Sequence, residues 1–175
     1  MIVFTQADGH IWVETRREGM LAPVGHDLRL EAQAFRVQVT PDLTSVTATI
    51  QAASVTVRAA LMGVQEHASA LGRLERGRIN RTIAKDVLKS REFSTITFSS
   101  DSLSEAEAGY ALTGQLTLRG VSRSVMTTAF REGSRLHARL PLRLSAFGLR
   151  PVTAFMGALR VSDELCVVID LPDSS

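Results

Sequence analysis

Between Arg135 and Leu144 the chain alternates without a break. Leu136, Ala138, Leu140, Leu142 and Leu144 fall on one parity, and Arg135, His137, Arg139 and Arg143 on the other. A repeat of two residues is the signature of a β-strand, because successive side chains leave a strand on opposite faces, whereas a helix repeats every 3.6. Leu165, Val167, Ile169 and Leu171 repeat the pattern near the end of the chain. A strand that is apolar on one face and charged on the other cannot sit in a sheet covered by helices on both sides. The alternation therefore predicts an antiparallel sheet curled around an apolar interior, with Leu136, Leu140, Leu142 and Leu144 inward and Arg135, Arg139 and Arg143 outward.

The rest of the chain supplies further strands. Residues 11–17 are β-rich, and 43–51 alternate Val46, Ala48 and Ile50 with Thr47, Thr49 and Gln51. From Leu28 the apolar parity runs through Leu30, Ala32 and Ala34, then shifts to Phe35, Val37 and Val39, which marks a bulge or sharp bend. Later strands are expected at 94–101, 110–118, 122–131, 135–144 and 160–171. Between Val55 and Ser90 the pattern turns helical, with Ile79, Ile83 and Val87 at i, i+4 and i+8. This predicts an amphipathic helix at about 77–89, with a shorter one around 58–71. The expected fold is all-β: an antiparallel barrel of about eight strands with a helical insertion at roughly 56–90, residues 1–175 forming a single domain.

Composition narrows the function. Twenty Lys and Arg stand against 18 Asp and Glu, a net charge of +2, and aromatics make up 5% of the 175 residues. A nucleic-acid binder needs a larger basic excess and more stacking platforms. Cys166 is the single cysteine, so no intrachain disulfide can form, which suits a reducing compartment, and its place in an alternating strand predicts a buried, inert thiol. No leader pattern is seen in Met1–Gly9, and no run of about 18 apolar residues occurs. The expected location is the cytoplasm, or the periplasm if a leader has been removed.

Gly25-His26-Asp27-Leu28 is the most suggestive polar group. His-Asp can serve as metal ligands or as an acid/base pair, but a metal site needs three or four converging ligands, and His10, His67 and His137 are scattered. The alternative is a strand entrance in which Asp27 bonds nearby amides. Arg78, Arg81, Lys85 and Lys89 lie mostly off the apolar stripe of the helix. They read as its solvated side, or as an attraction for an anionic head group or membrane surface. Gly114 and Gly120 bracket a strand and read as bends or turns. No nucleophile-elbow, phosphate-loop or dinucleotide signature is present, so no catalytic residue, cofactor or metal is expected.

Several stretches, in order, resemble one family: AASV at 52–55, VLKSREF at 87–93, STITFSS at 94–100, GQLTLRGVSRSV at 114–125, FGL at 147–149 and VSDELCVVIDL at 161–171. The sequence is similar to the YceI-like proteins, lipocalin-like polyisoprenoid binders of bacteria. The resemblance implies an extended antiparallel barrel with a helical segment between its third and fourth strands. It also implies an apolar channel for an isoprenoid, quinone or other lipid. Trp12, Leu30, Ile50, Phe98, Leu116, Leu140 and Phe147 are expected to line it. The chain departs from the family pattern at Lys85–Leu88, in place of an Arg-Asp-His-Leu-like stretch, and at Leu144–Gly148, in place of Arg-Ser-Asp-Phe-Gly. Noncatalytic carriage of an apolar ligand is the leading reading. A filled barrel acting as a structural or interaction module is the alternative, an enzyme using His26 and Asp27 is the third, and a homodimer stays open.

Overall fold

The computed structural model describes residues 1–20, 22, 25–154 and 159–174. Among them, thirteen strands are present: β1 (Ile2–Thr5), β2 (His10–Glu18), β3 (Asp27–Ala32), β4 (Phe35–Val39), β5 (Val46–Gln51), β6 (Val55–Met62), β7 (Gln65–His67), β8 (Thr95–Ala106), β9 (Gly109–Leu118), β10 (Val121–Glu132), β11 (Arg135–Arg143), β12 (Thr153–Ala154) and β13 (Leu159–Pro172). They form one antiparallel sheet in the order β1-β4-β5-β8-β9-β10-β11-β13-β2-β3-β6-β7, with β12 beside β13. The fold is all-β, as the alternation implies.

The strand count exceeds the expected eight because the expected strand from Leu28 to Val39 divides at a bend into β3 and β4, and because β1, β6, β7 and β12 form where no strand was expected. The parity shift after Ala34 is the first bend. The second lies opposite it, where a 3-10 turn at Ala52–Ser54 separates β5 from β6. The ladder runs through both: Gln33 N–H donates to the Ser54 carbonyl at 3.2 Å, Ala34 N–H to Ser54 Oγ at 3.0 Å, and Gln51 N–H to the Ala34 carbonyl at 2.9 Å. β3 pairs with β2 and β6, while β4 and β5 pair with each other and β5 with β8. The bent hairpin thus ties the two ends of the sheet together and curls it around its apolar face.

β11 and β13 hold the predicted register. Leu140 opposes Val167, Leu142 opposes Leu165, and Leu136 opposes Leu171. Ala138, Leu140 and Leu144 are buried, while Arg139 and Arg143 are exposed. The main core gathers Phe4, Ile11, Leu30, Phe35, Val37, Val55, Val57, Ile83, Leu88 and Leu171. A smaller cluster of Leu144, Phe147 and Leu149 sits under Leu116, Leu118, Val121, Leu142 and Leu165.

The helical insertion is shorter than expected. Residues 58–71 are not helical: they belong to β6, β7 and a 3-10 turn at Ala68–Ala70. The register shift opposite Arg29 and Leu30 inserts an extra residue into β6, and Ala59, Ala60 and Leu61 are then buried in succession. Such a run carries no period-2 signal, so it reads as readily as a helix. The helix proper, α1 (Arg73–Thr82), continues into a π-helical turn at Ile83–Val87. Leu88 N–H closes that turn on the Ile83 carbonyl at 2.8 Å, and Lys89, with φ of 47°, takes the left-handed conformation that ends it.

Candidate functional site: an apolar cavity inside the curled sheet

The inward parity of the strands does not close into a solid core. It surrounds a cavity of about 540 Å³, within the roughly 300–1,000 Å³ usual for small-molecule sites. Its wall is built strand by strand from the residues the alternation points inward: Ile11 and Val13 of β2, Leu28 and Leu30 of β3, Val37 of β4, Ile50 of β5, Ile96 and Phe98 of β8, Leu112 and Leu116 of β9, Leu136 and Leu140 of β11, and Val167 and Ile169 of β13. Ile79, Ile83, Val87 and Leu88 complete it from the helical segment. Branched aliphatic side chains offer no hydrogen-bonding hooks, so this wall selects for apolar surface and chain length.

Few polar side chains reach the cavity. Thr15 and Thr127 come from the strands, and Arg78 and Thr82 stand one turn apart on α1. Tyr110, Asp173 and Ser174 form a second polar group. Arg131 reaches the Tyr110 hydroxyl at 3.2 Å, lies 5.6 Å from its ring centroid and pairs with Asp173. Arg78, the one cation among the described lining residues, is exposed, as is Ser174, so the lining meets solvent beside α1 and beside Ser174.

Three polar contacts seat the helical segment. Asn80 Oδ1 accepts the Val57 N–H at 2.8 Å, satisfying a β6 amide where β7 no longer runs alongside. The Arg76 guanidinium donates to the carbonyls of Arg58 at 2.9 Å and Ala68 at 2.8 Å. From the β9–β10 turn, Arg119 donates to the Val87 carbonyl at 3.1 Å and caps the end of the π turn. These bonds hold Ile79, Ile83 and Val87 against the cavity.

Gly114 is not a bend but the middle of β9, and it makes room for a lining ring. A Cβ there would lie 2.5 Å from Phe98 Cζ and 2.4 Å from the Ser99 carbonyl oxygen. Gly120 is the expected turn, with φ of 73°.

Of the seven expected lining residues, Leu30, Ile50, Phe98, Leu116 and Leu140 are brought together on the cavity wall. Phe147 is not on the wall: it is buried in the small cluster beside Leu144 and Leu149, which do line the cavity. Trp12 points to the outer face, because Ile11, Val13 and Thr15 take the inward parity of β2. There it stacks on His10 with centroids 4.8 Å apart, under the Arg29 guanidinium at 4.6 Å. Sequence reasoning missed Tyr110 and Thr82. Thr82 had a signal, since it lies at i+3 from Ile79 on the inward stripe.

The outer face of the same strands carries a charged lattice. Glu14, 5% exposed, accepts from Arg139 at 3.3 Å and Arg29 at 3.4 Å and lies 3.5 Å from Arg16. Burial pushes its carboxyl up, but the hydrogen bonds and charges of Arg139 and Arg29 outweigh this and hold it below the usual carboxylate range. Cys166 stands on this face too, half-buried rather than enclosed. The His26-Asp27 pair lies apart from the cavity. Asp27 accepts the Arg17 N–H at 2.9 Å, and His26 is exposed. Among the described residues no three His, Cys, Asp or Glu side chains converge to hold a metal, and no helix is long and apolar enough to cross a membrane.

A strongly curled antiparallel sheet wrapped around an apolar cavity, with one wall supplied by a helical insertion, defines the class. The chain belongs to the YceI-like domain family, whose model matches residues 9–172. The crystal structure of BcnA from Burkholderia cenocepacia superposes with a TM-score of 0.60 at 20% identity, covering 94% of this chain and 95% of that one. The YceI protein of Campylobacter jejuni gives a TM-score of 0.51 at 19% identity, over 78% and 77% of the two chains. A cysteine mutant of that protein carrying a monobromobimane guest gives 0.52 at 18% identity, over 79% and 80%. At these identities the likeness is one of fold. A comparison with curated proteins found no match.

Proposed function

We propose that this chain, acting as a single domain over residues 1–175, is a noncatalytic binder that carries an elongated apolar ligand, such as an isoprenoid, a quinone or another lipid, inside the curled sheet. The observation that carries this reading is the cavity of about 540 Å³, walled almost wholly by apolar side chains from eleven strands and the helical segment. A filled-barrel interaction module would have used that volume for larger side chains, since protein interiors are otherwise close-packed. About twelve buried chain carbons would gain roughly 10 kcal/mol before ordering costs.

The family supports the same reading, since membership brings the expectation of a hydrophobic ligand. At the two departures from its pattern, Val87 and Leu144 line the cavity with apolar groups, so this chain asks less for a polar head group there. Leu30, Ile50, Phe98, Leu116 and Leu140 are the proposed binding residues. The test is displacement of a fluorescent apolar probe by a prenyl quinone. Saturable displacement that Leu140→Trp abolishes supports the carrier. Absence of probe uptake by the folded wild-type protein refutes it.

A further inference from the structure

The cations of this chain are unevenly used. Residues 73–92 hold seven of the 20 Lys and Arg against three of the 18 Asp and Glu, so the segment is net positive while the remainder, thirteen against fifteen, is net negative. Outside it, nine of thirteen arginines are paired with carboxylates: Arg16, Arg17, Arg29, Arg58, Arg131, Arg135, Arg139, Arg143 and Arg160. Inside it, Arg73, Arg78, Arg81, Lys85, Lys89 and Arg91 are all exposed, and their side chains have no ion-pair or hydrogen-bond partner among the described residues. Leu74 stands among them, 79% exposed on α1. The opposite side of the same segment, Ile79, Ile83 and Val87, faces the cavity, and Arg78 sits where the cavity meets solvent.

We propose that residues 73–92 dock the protein on an anionic lipid bilayer, setting the cavity opening beside α1 against the membrane so that an apolar ligand passes between the two. Unpaired cations around an exposed leucine suit a charged interface with an apolar layer beneath, each cation adding attraction within a Debye length of the surface. A nucleic acid would use the charge but not Leu74, and no aromatic side chain of α1 is there to stack on bases. The transfer role rests on the carrier reading; the docking itself does not.

The test is co-sedimentation of the full chain with phosphatidylcholine vesicles, with and without phosphatidylglycerol, beside uptake of a fluorescent apolar probe in solution. Wild-type protein is expected on phosphatidylglycerol vesicles only, and to be released by salt. Reversing Arg73, Arg81 and Lys85 to Glu, which leaves the cavity lining unchanged, is expected to weaken partitioning by at least about a hundredfold while probe uptake persists. Reversing Arg36, Arg123 and Arg150, an equal change of net charge elsewhere, is expected to leave most of the binding. Equal loss in both variants would reduce the effect to net charge and overturn the docking surface. So would wild-type protein that ignores anionic vesicles, or that binds an oligonucleotide instead. If vesicles bind but the probe does not, the docking surface stands and the carrier reading fails.

Discussion

Asn80 of α1 accepts the backbone N–H of Val57 in β6 at 2.8 Å, a side-chain amide completing a sheet where the next strand is missing. β7 accompanies β6 only at residues 60–62, so the Val57 amide depends on the helix. Asn80→Ala is expected to lower stability by about 1–3 kcal/mol, the range for a buried donor left unpaired. Asn80→Asp, which keeps the acceptor, should recover most of it. Equilibrium denaturation of the two variants checks this; equal losses would mean that the hydrogen bond is not the cause.

Ile83 opens the π turn and is 7% exposed against the core. Truncation to Ala should cost about 2–5 kcal/mol. A loss below about half a kcal/mol would show the helical segment to be loosely docked.

Gly114→Ala places a methyl group against the Phe98 ring and the Ser99 carbonyl. The ring must move, and it moves on the cavity wall, so both stability and probe affinity should fall. Pairing the change with Phe98→Leu should restore stability in part. A Gly114→Ala protein indistinguishable from wild type in both measurements would contradict the packing described.

The Glu14 carboxyl lies below its ordinary value because Arg139 and Arg29 outweigh the effect of burial. A depressed folded-state pKa stabilises the fold above the unfolded value of about 4.3. That contribution is lost as pH falls through the lower, folded value. Glu14→Gln should therefore show a shallower loss of denaturation midpoint than wild type below about pH 4.3. Parallel pH profiles would remove Glu14 from the acid response. Arg139 consequently has a structural partner. Arg143, whose pair with Glu164 is exposed on both sides, is the better outward control for ligand binding, with little effect expected on truncation.

How much of this was legible in the sequence depends on which residues carried a period. β11 and β13 were readable to within a residue at each end because their Leu, Val and Ile alternate with more polar positions. The parity shift at Ala34 foretold the first bend, but its partner at Ala52–Ser54 has no such signature, and the strand count rose with it. β6 was hidden because Ala59, Ala60 and Leu61 are buried in a row past a bulge. Trp12 was ambiguous for a local reason: Ile11, Trp12 and Val13 are all apolar, so either parity could face inward. Its aromatic ring lies outside because Arg29 and His10 cover it. The hollow itself was not legible, since a packed and an empty interior need the same alternation. It depends on how far the bent hairpin and α1 hold the strands apart.

The central claim is that the cavity holds an apolar chain, and native mass spectrometry tests it most directly. The protein and its Leu140→Trp variant would each be incubated with prenyl quinones of increasing chain length. The account predicts a one-to-one adduct with the wild-type protein, strengthening with length until the cavity is filled, and none with the folded variant. A wild-type protein that forms no adduct at any length, or a variant that binds as well as wild type, would contradict it.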